Sequence, residues 1–181
     1  MKETNTKFKF TKLQKIILSV AIISLVGFIA FSMFGENLPI IKKDGTITEK
    51  STEDGGKIIE VNEGKKKPIE EEFPFTMKEH QIANAIHAMS HQKVEADEKW
   101  MFLPLTTERV TRLLDVIDTN KNDYKNASLY MEILSRWSKN DFSQIDYDHN
   151  QIWETQDGTI GRATGILSYE EEVEYIEKYY K

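Results

Sequence analysis

The stretch TMKEHQIANAIHAMSHQ, Thr76–Gln92, decides the fold of this chain. Ile82, Ala85, Ile86 and Met89 recur at the spacing that puts apolar side chains on one face of an α-helix. Thr76 followed three residues later by Glu79 has the form of a capping box, so the helix is expected to start there and run to about Gln92. At about 100° per residue, His80, His87 and His91 fall within roughly 40° of one another, opposite the apolar stripe. His87 and His91 stand four apart, the spacing with which two imidazoles share one metal ion.

Toward the C-terminus the helical pattern continues. Trp100–Leu105 (WMFLPL) is an apolar loop broken by Pro104. Thr106 or Thr107 then caps a helix whose stripe is Val110, Leu113, Leu114 and Ile117. A third helix over about Tyr124–Lys139 aligns Tyr130, Leu134 and Trp137. A fourth over about Ser143–Gln156 aligns Ile145, His149 and Ile152, with Gly158 as its expected C-terminal cap. Ser168 and Glu171 form a second capping box, opening a fifth helix with Val173, Ile176 and Tyr180 inward. No segment here alternates apolar and polar as a strand does. The spacing predicts an all-α domain of five helices over residues 75–181.

Toward the N-terminus the composition changes twice. Gly35–Pro74 is rich in Gly, Lys, Glu, Thr and Asp, with few apolar residues, and is expected to be a flexible linker. A hairpin about Asp44-Gly45 is the alternative for part of it. Ile16–Phe34 (IILSVAIISLVGFIAFSMF) has no charge and spans about 28 Å as a helix, near the hydrocarbon thickness of a bilayer. Its Leu, Ile, Val and Phe side chains favour insertion by roughly 4–7 kcal/mol. Lys2, Lys7, Lys9, Lys12 and Lys15 precede it, so residues 1–15 are expected in the cytoplasm, 16–34 across the membrane as a single-pass signal-anchor, and the remainder outside. A signal peptide cleaved near Ala30-Phe31-Ser32 is the competing reading, and it too exports the domain.

Charge and cysteine content narrow the function. The net charge is −6 although the first 34 residues are basic, so the exported part is strongly acidic and ill-suited to nucleic acid. There is no cysteine, which rules out disulfides, thiolate metal sites and a cysteine nucleophile, and fits a Gram-positive cell surface.

Three constellations carry possible chemistry. His87 and His91, completed by His80 or His149, could hold a divalent metal. The zinc-protease pattern fails because Ala88 stands where its general base belongs. Asp146–Asn150 resembles the opening of a calcium loop, but Gln151 replaces the required glycine, and Asp118–Asn122 has similar spacing without the closing acid. Asp157–Gly165 (DGTIGRATG) lacks the ending of a phosphate loop and is expected to reverse the chain. Trp100, Phe102 and Leu103 are the residues expected to meet a protein partner. With no catalytic pattern, the expected function is a non-enzymatic protein-binding or scaffold module of the cell envelope, with no cofactor. The alternative is a histidine-based metal-binding or metal-dependent domain.

At Ala85–Val94, Lys99-Trp100, Leu134–Trp137, Asp141–Ser143, Asp148–Trp153 and Gly158–Ser168, the chain resembles an uncharacterised family of small membrane-anchored proteins from Bacillus-type Gram-positive bacteria. The resemblance covers roughly Lys78–Lys181 and implies no activity. It directs attention to His87, His91, Trp137 and His149.

Overall fold

The computed structural model describes residues 47–51, 57–64 and 67–180. Its elements in order are β1 (Ile47–Ser51), β2 (Lys57–Val61), α1 (Ile69–Glu72), α2 (Glu79–Ser90), β3 (Val94–Glu95), α3 (Thr107–Asn120), α4 (Ala127–Trp137), α5 (Ile145–Thr155), β4 (Gly165–Ile166) and α6 (Tyr169–Tyr179). About half of the described residues are helical. The expected membrane span, Ile16–Phe34, and the Asp44-Gly45 turn lie outside the described residues. Among the described residues no helix is long and apolar enough to cross a membrane.

The five expected helices are present as α2 to α6. The apolar stripes of α2 to α5 meet in one core, where Ile82, Ile86, Met89, Leu113, Ile117, Ile133, Leu134, Trp137, Ile145 and Ile152 are all buried. Burying each such side chain contributes about 1.5–3 kcal/mol. α2 packs on α5, and α3 on α4. Thr106 caps α3, its hydroxyl accepting from the Arg109 amide at 3.3 Å. Ser168 and Glu171 cap α6 reciprocally, at 3.3 and 2.8 Å.

The cap of α2 differs from expectation. The helix starts at Glu79, three residues after Thr76, and Gln81 Oε1 accepts from the Lys78 amide at 2.8 Å. Glu79 turns instead to the start of α4. Its carboxylate accepts from the amides of Lys125 (2.9 Å) and Asn126 (2.8 Å) and from the Tyr130 hydroxyl (3.3 Å). Burial raises the Glu79 pKa, but those donors outweigh it and hold it below the usual range.

The domain is mostly rather than wholly helical. β1 and β2 pair antiparallel with Ile47 opposite Val61 and Ser51 opposite Lys57. β3 and β4 form a second, two-residue pairing. The hairpin and α1 fall inside the stretch expected to be a flexible linker. The reason is burial at long range: Ile47, Ile59 and Val61 share a small apolar cluster with Ile176 of α6, and Phe73 joins the main core. A short apolar pair looks too weak to order a segment until its distant partner is known. Arg109 reinforces the join, reaching Glu63 and Glu72 through its guanidinium at 2.6 and 2.9 Å. α6 is tied to the body by a buried network in which Lys93 Nζ and Gln92 Nε2 both reach Glu172, at 2.8 and 2.7 Å.

Candidate metal centre

α2 ends at Ser90, and the chain turns through His91. Two of the histidines expected to share a face, His87 and His91, meet there. His149 comes to them from α5, since it lies on the inward stripe between Ile145 and Ile152. Ring centroids are 4.8 Å apart for His87 and His91, 4.5 Å for His87 and His149, and 5.3 Å for His91 and His149. One donor nitrogen from each lies within 4.8 Å of the others. His80 does not join them. It is exposed on the first turn of α2, about 10 Å along the helix axis from His87.

Each ring is oriented by a hydrogen bond to its other nitrogen. His87 Nδ1 lies 2.6 Å from Gln156 Oε1, and Gln156 Nε2 in turn donates to Asn84 Oδ1 at 2.7 Å. His91 Nδ1 lies 2.8 Å from the Met101 carbonyl. A carbonyl oxygen only accepts, so both rings carry the proton on Nδ1 and keep a lone pair on Nε2. Neither Nε2 makes a hydrogen bond among the described residues. This is how a protein presets imidazoles for a metal: the outer N–H is anchored and the inner nitrogen is left to donate electrons.

His149 is arranged differently. Its Nε2 donates to the Gly161 carbonyl at 3.0 Å, so its lone pair is on Nδ1, 2.9 Å from Ser90 Oγ. Ser90 Oγ also lies 2.6 Å from the His87 carbonyl, so its single proton can serve either neighbour.

The loop after α5 is held in place to supply that Gly161 carbonyl. Asn150 clips Ala163 from both sides, accepting from its amide at 2.8 Å and donating to its carbonyl at 3.1 Å. Trp153 Nε1 donates to the Ile160 carbonyl at 2.8 Å. Asp157, rather than the expected Gly158, takes the positive φ (53°) past the helix end. Gly158 is needed for space, because a Cβ there would stand 2.3 Å from the Trp153 ring. Gly161 has φ of +84°, and a Cβ on it would meet the Glu98 carbonyl at 2.6 Å. Asp157–Gly165 therefore reverses the chain as expected.

Burial disfavours the charged form of all three rings. It lowers His91 to about 4, aided by His87 and Lys99, and His149 to about 3, aided by His87. His87 is lowered by burial too, with Gln156 opposing. Neutral imidazole is the form that binds metal. A tetrahedral zinc with bonds of about 2.0–2.1 Å sets its nitrogens roughly 3.3 Å apart, so the rings must draw together around an ion, with Ser90 releasing His149. Above His87 and His91 opens a pocket of about 350 Å³, bordered by Trp100, Trp153, Glu98 and Asp157.

The other candidates fall elsewhere. Asp148 is buried within α5, paired with Arg136 and accepting from Trp137 Nε1 at 2.9 Å. That places Asp146–Asn150 in a helix, not an ion-binding loop. Asp118 lies in the last turn of α3, in a salt bridge with Lys121 at 3.0 Å. Trp100 is 72% exposed and Phe102 42%, while Leu103 is half-buried against the core. The sequence alone assigns no orienting role to Gln156, Ser90, Met101 or Gly161, because ordinary polar residues and backbone carbonyls become orienting groups only when folding sets them beside a ring.

No curated protein and no solved structure matches the chain. A family of unknown function, DUF6241, matches over residues 86–177, a segment that contains His87, His91, His149 and the loop that orients them. The chain therefore belongs to the DUF6241 family, a family of unknown function.

Proposed function

We propose that this chain binds a divalent transition-metal ion through His87, His91 and His149, in a domain held outside a Gram-positive cell membrane by Ile16–Phe34. The observation that carries the metal reading is the convergence of the three histidines from α2 and α5, with one donor nitrogen of each within 4.8 Å. Imidazole donors favour zinc, copper or nickel over calcium and magnesium, which take oxygen ligands. Calorimetry on the chelator-stripped full chain should show one zinc per chain. The ion at ~100-fold its Kd should stabilise the fold by about 2.7 kcal/mol. His87→Ala should weaken binding at least roughly tenfold. Absence of both heat and thermal upshift with zinc, copper and nickel would remove the reading.

The placement rests on the uncharged span and the lysines before it. Protease added to intact cells should digest the acidic part and spare residues 1–15; protection of the acidic part until lysis would reverse the topology. A second reading, a module for an envelope protein partner, is favoured by the exposure of Trp100 and Phe102. Crosslinking in the native membrane should capture a partner that Phe102→Ala loses, and equal capture by that variant would count against it.

A further inference from the structure

We propose that the pocket over His87 and His91 is a receptor for a small primary ammonium carried on a flat apolar body. The inference shares two nitrogens with the metal reading but does not require a metal. Glu98 and Asp157 border the pocket, and no lysine or arginine among the described residues does. Lys99, next to Glu98 in the chain, is turned onto the His91 carbonyl at 3.0 Å and the Tyr175 ring at 4.5 Å. Glu98 and Asp157 place negative charge between low-dielectric walls, which concentrates cations.

The walls then select among cations. The Trp100 and Trp153 indoles both border the pocket, and both N–H groups are already committed, Trp100 to Glu98 Oε2 at 3.2 Å and Trp153 to the Ile160 carbonyl at 2.8 Å. They have only apolar surface and π-electrons left to offer, which suits an aromatic body and a neighbouring positive charge. The Trp100 indole is 72% exposed, so its ring face is open to a ligand.

The floor selects the head group. The Met101 carbonyl and Gln156 Oε1 hold the Nδ1 atoms of His91 and His87, which leaves each Nε2 lone pair without a hydrogen-bond partner among the described residues. Two convergent lone pairs call for a donor with more than one N–H. A primary ammonium supplies three, a quaternary ammonium none, and an alcohol one. The volume, about 350 Å³, lies at the small end of the range for ligand sites, and matches a one-ring amine.

Phenethylammonium is the probe, titrated by calorimetry into the full-length chain in non-ionic detergent with EDTA present. Phenethyl alcohol and phenylacetate serve as neutral and anionic controls of the same shape. Saturable one-to-one binding of the amine, at least roughly tenfold tighter than the alcohol, with no binding of the acid, is the expected result. Glu98→Gln and Trp100→Ala, both at exposed positions, should each weaken it several-fold while leaving the melting temperature unchanged. Zinc should displace the amine. Lack of amine binding up to about 10 mM, a Kd weaker than any useful affinity, overturns the proposal, and so does equal affinity for the alcohol or wild-type affinity in both variants. Zinc binding without amine binding would sink this inference and leave the metal reading standing. Amine binding without zinc binding would do the opposite.

Discussion

Ser90 has one hydroxyl proton and two acceptors within reach, His149 Nδ1 and the His87 carbonyl. In the metal-free protein the buried His149 needs that proton, because its Nε2–H is spent on Gly161. A metal would need the same lone pair. Ser90→Ala therefore has opposite effects on two measurements. The apo fold should lose about 1–2 kcal/mol in urea titrations, the cost of an unsatisfied buried acceptor. Zinc should bind several-fold more tightly in calorimetry, because its competitor is gone. Weaker zinc binding in this variant would show that His149 does not coordinate through Nδ1.

Glu79 shows how one helix can serve the start of another. Its carboxylate stands at the N-terminus of α4, where free amides and the helix dipole both favour negative charge. Glu79→Ala should cost about 1–2 kcal/mol by urea denaturation, with faster amide exchange at Lys125 and Asn126. The β1–β2 hairpin depends equally on a distant element. Ile59 is 1% exposed and packs in the cluster with Ile176. Ile59→Ala should cost about 2–5 kcal/mol, and hydrogen exchange should report β2 and α6 opening together. If only the hairpin loosened, the small cluster would not be a cooperative unit.

For the whole molecule, the histidine cluster sets a dependence on pH. His91 and His149 titrate near their ordinary value of about 6.5 when unfolded but at about 4 and about 3 when folded. Above pH ~6.5 both states are neutral and their full contribution to stability is present. As pH falls below that value the unfolded chain takes up protons first, so stability drops, and the loss levels off only below the folded values. The slope approaches about 1.4 kcal/mol per pH unit for each histidine. Between pH 7 and 5, above the range of ordinary carboxylates, the urea midpoint should fall, and His91→Gln with His149→Gln should flatten the curve. A flat wild-type curve would mean that these rings exchange protons freely in the fold. Zinc, binding the neutral rings, should steepen the loss on acidification.

The local sequence determined the five main helices, the cap at Ser168, a cap at Thr106 or Thr107, and the pairing of His87 with His91. These depend on spacings of three or four residues and on side chains reaching backbone within one turn. It also pointed His149 inward, through the stripe it shares with Ile145 and Ile152. Tertiary structure alone decided which third histidine completes the cluster, His149 rather than His80, because the choice depends on how α5 crosses α2. It also ordered the Lys57–Val61 strand, whose apolar residues found their partner in α6 more than a hundred positions later. The helix pattern was local chemistry. The histidine cluster and the hairpin's place came from contacts between residues remote in the chain, whose free energy no short window of sequence contains.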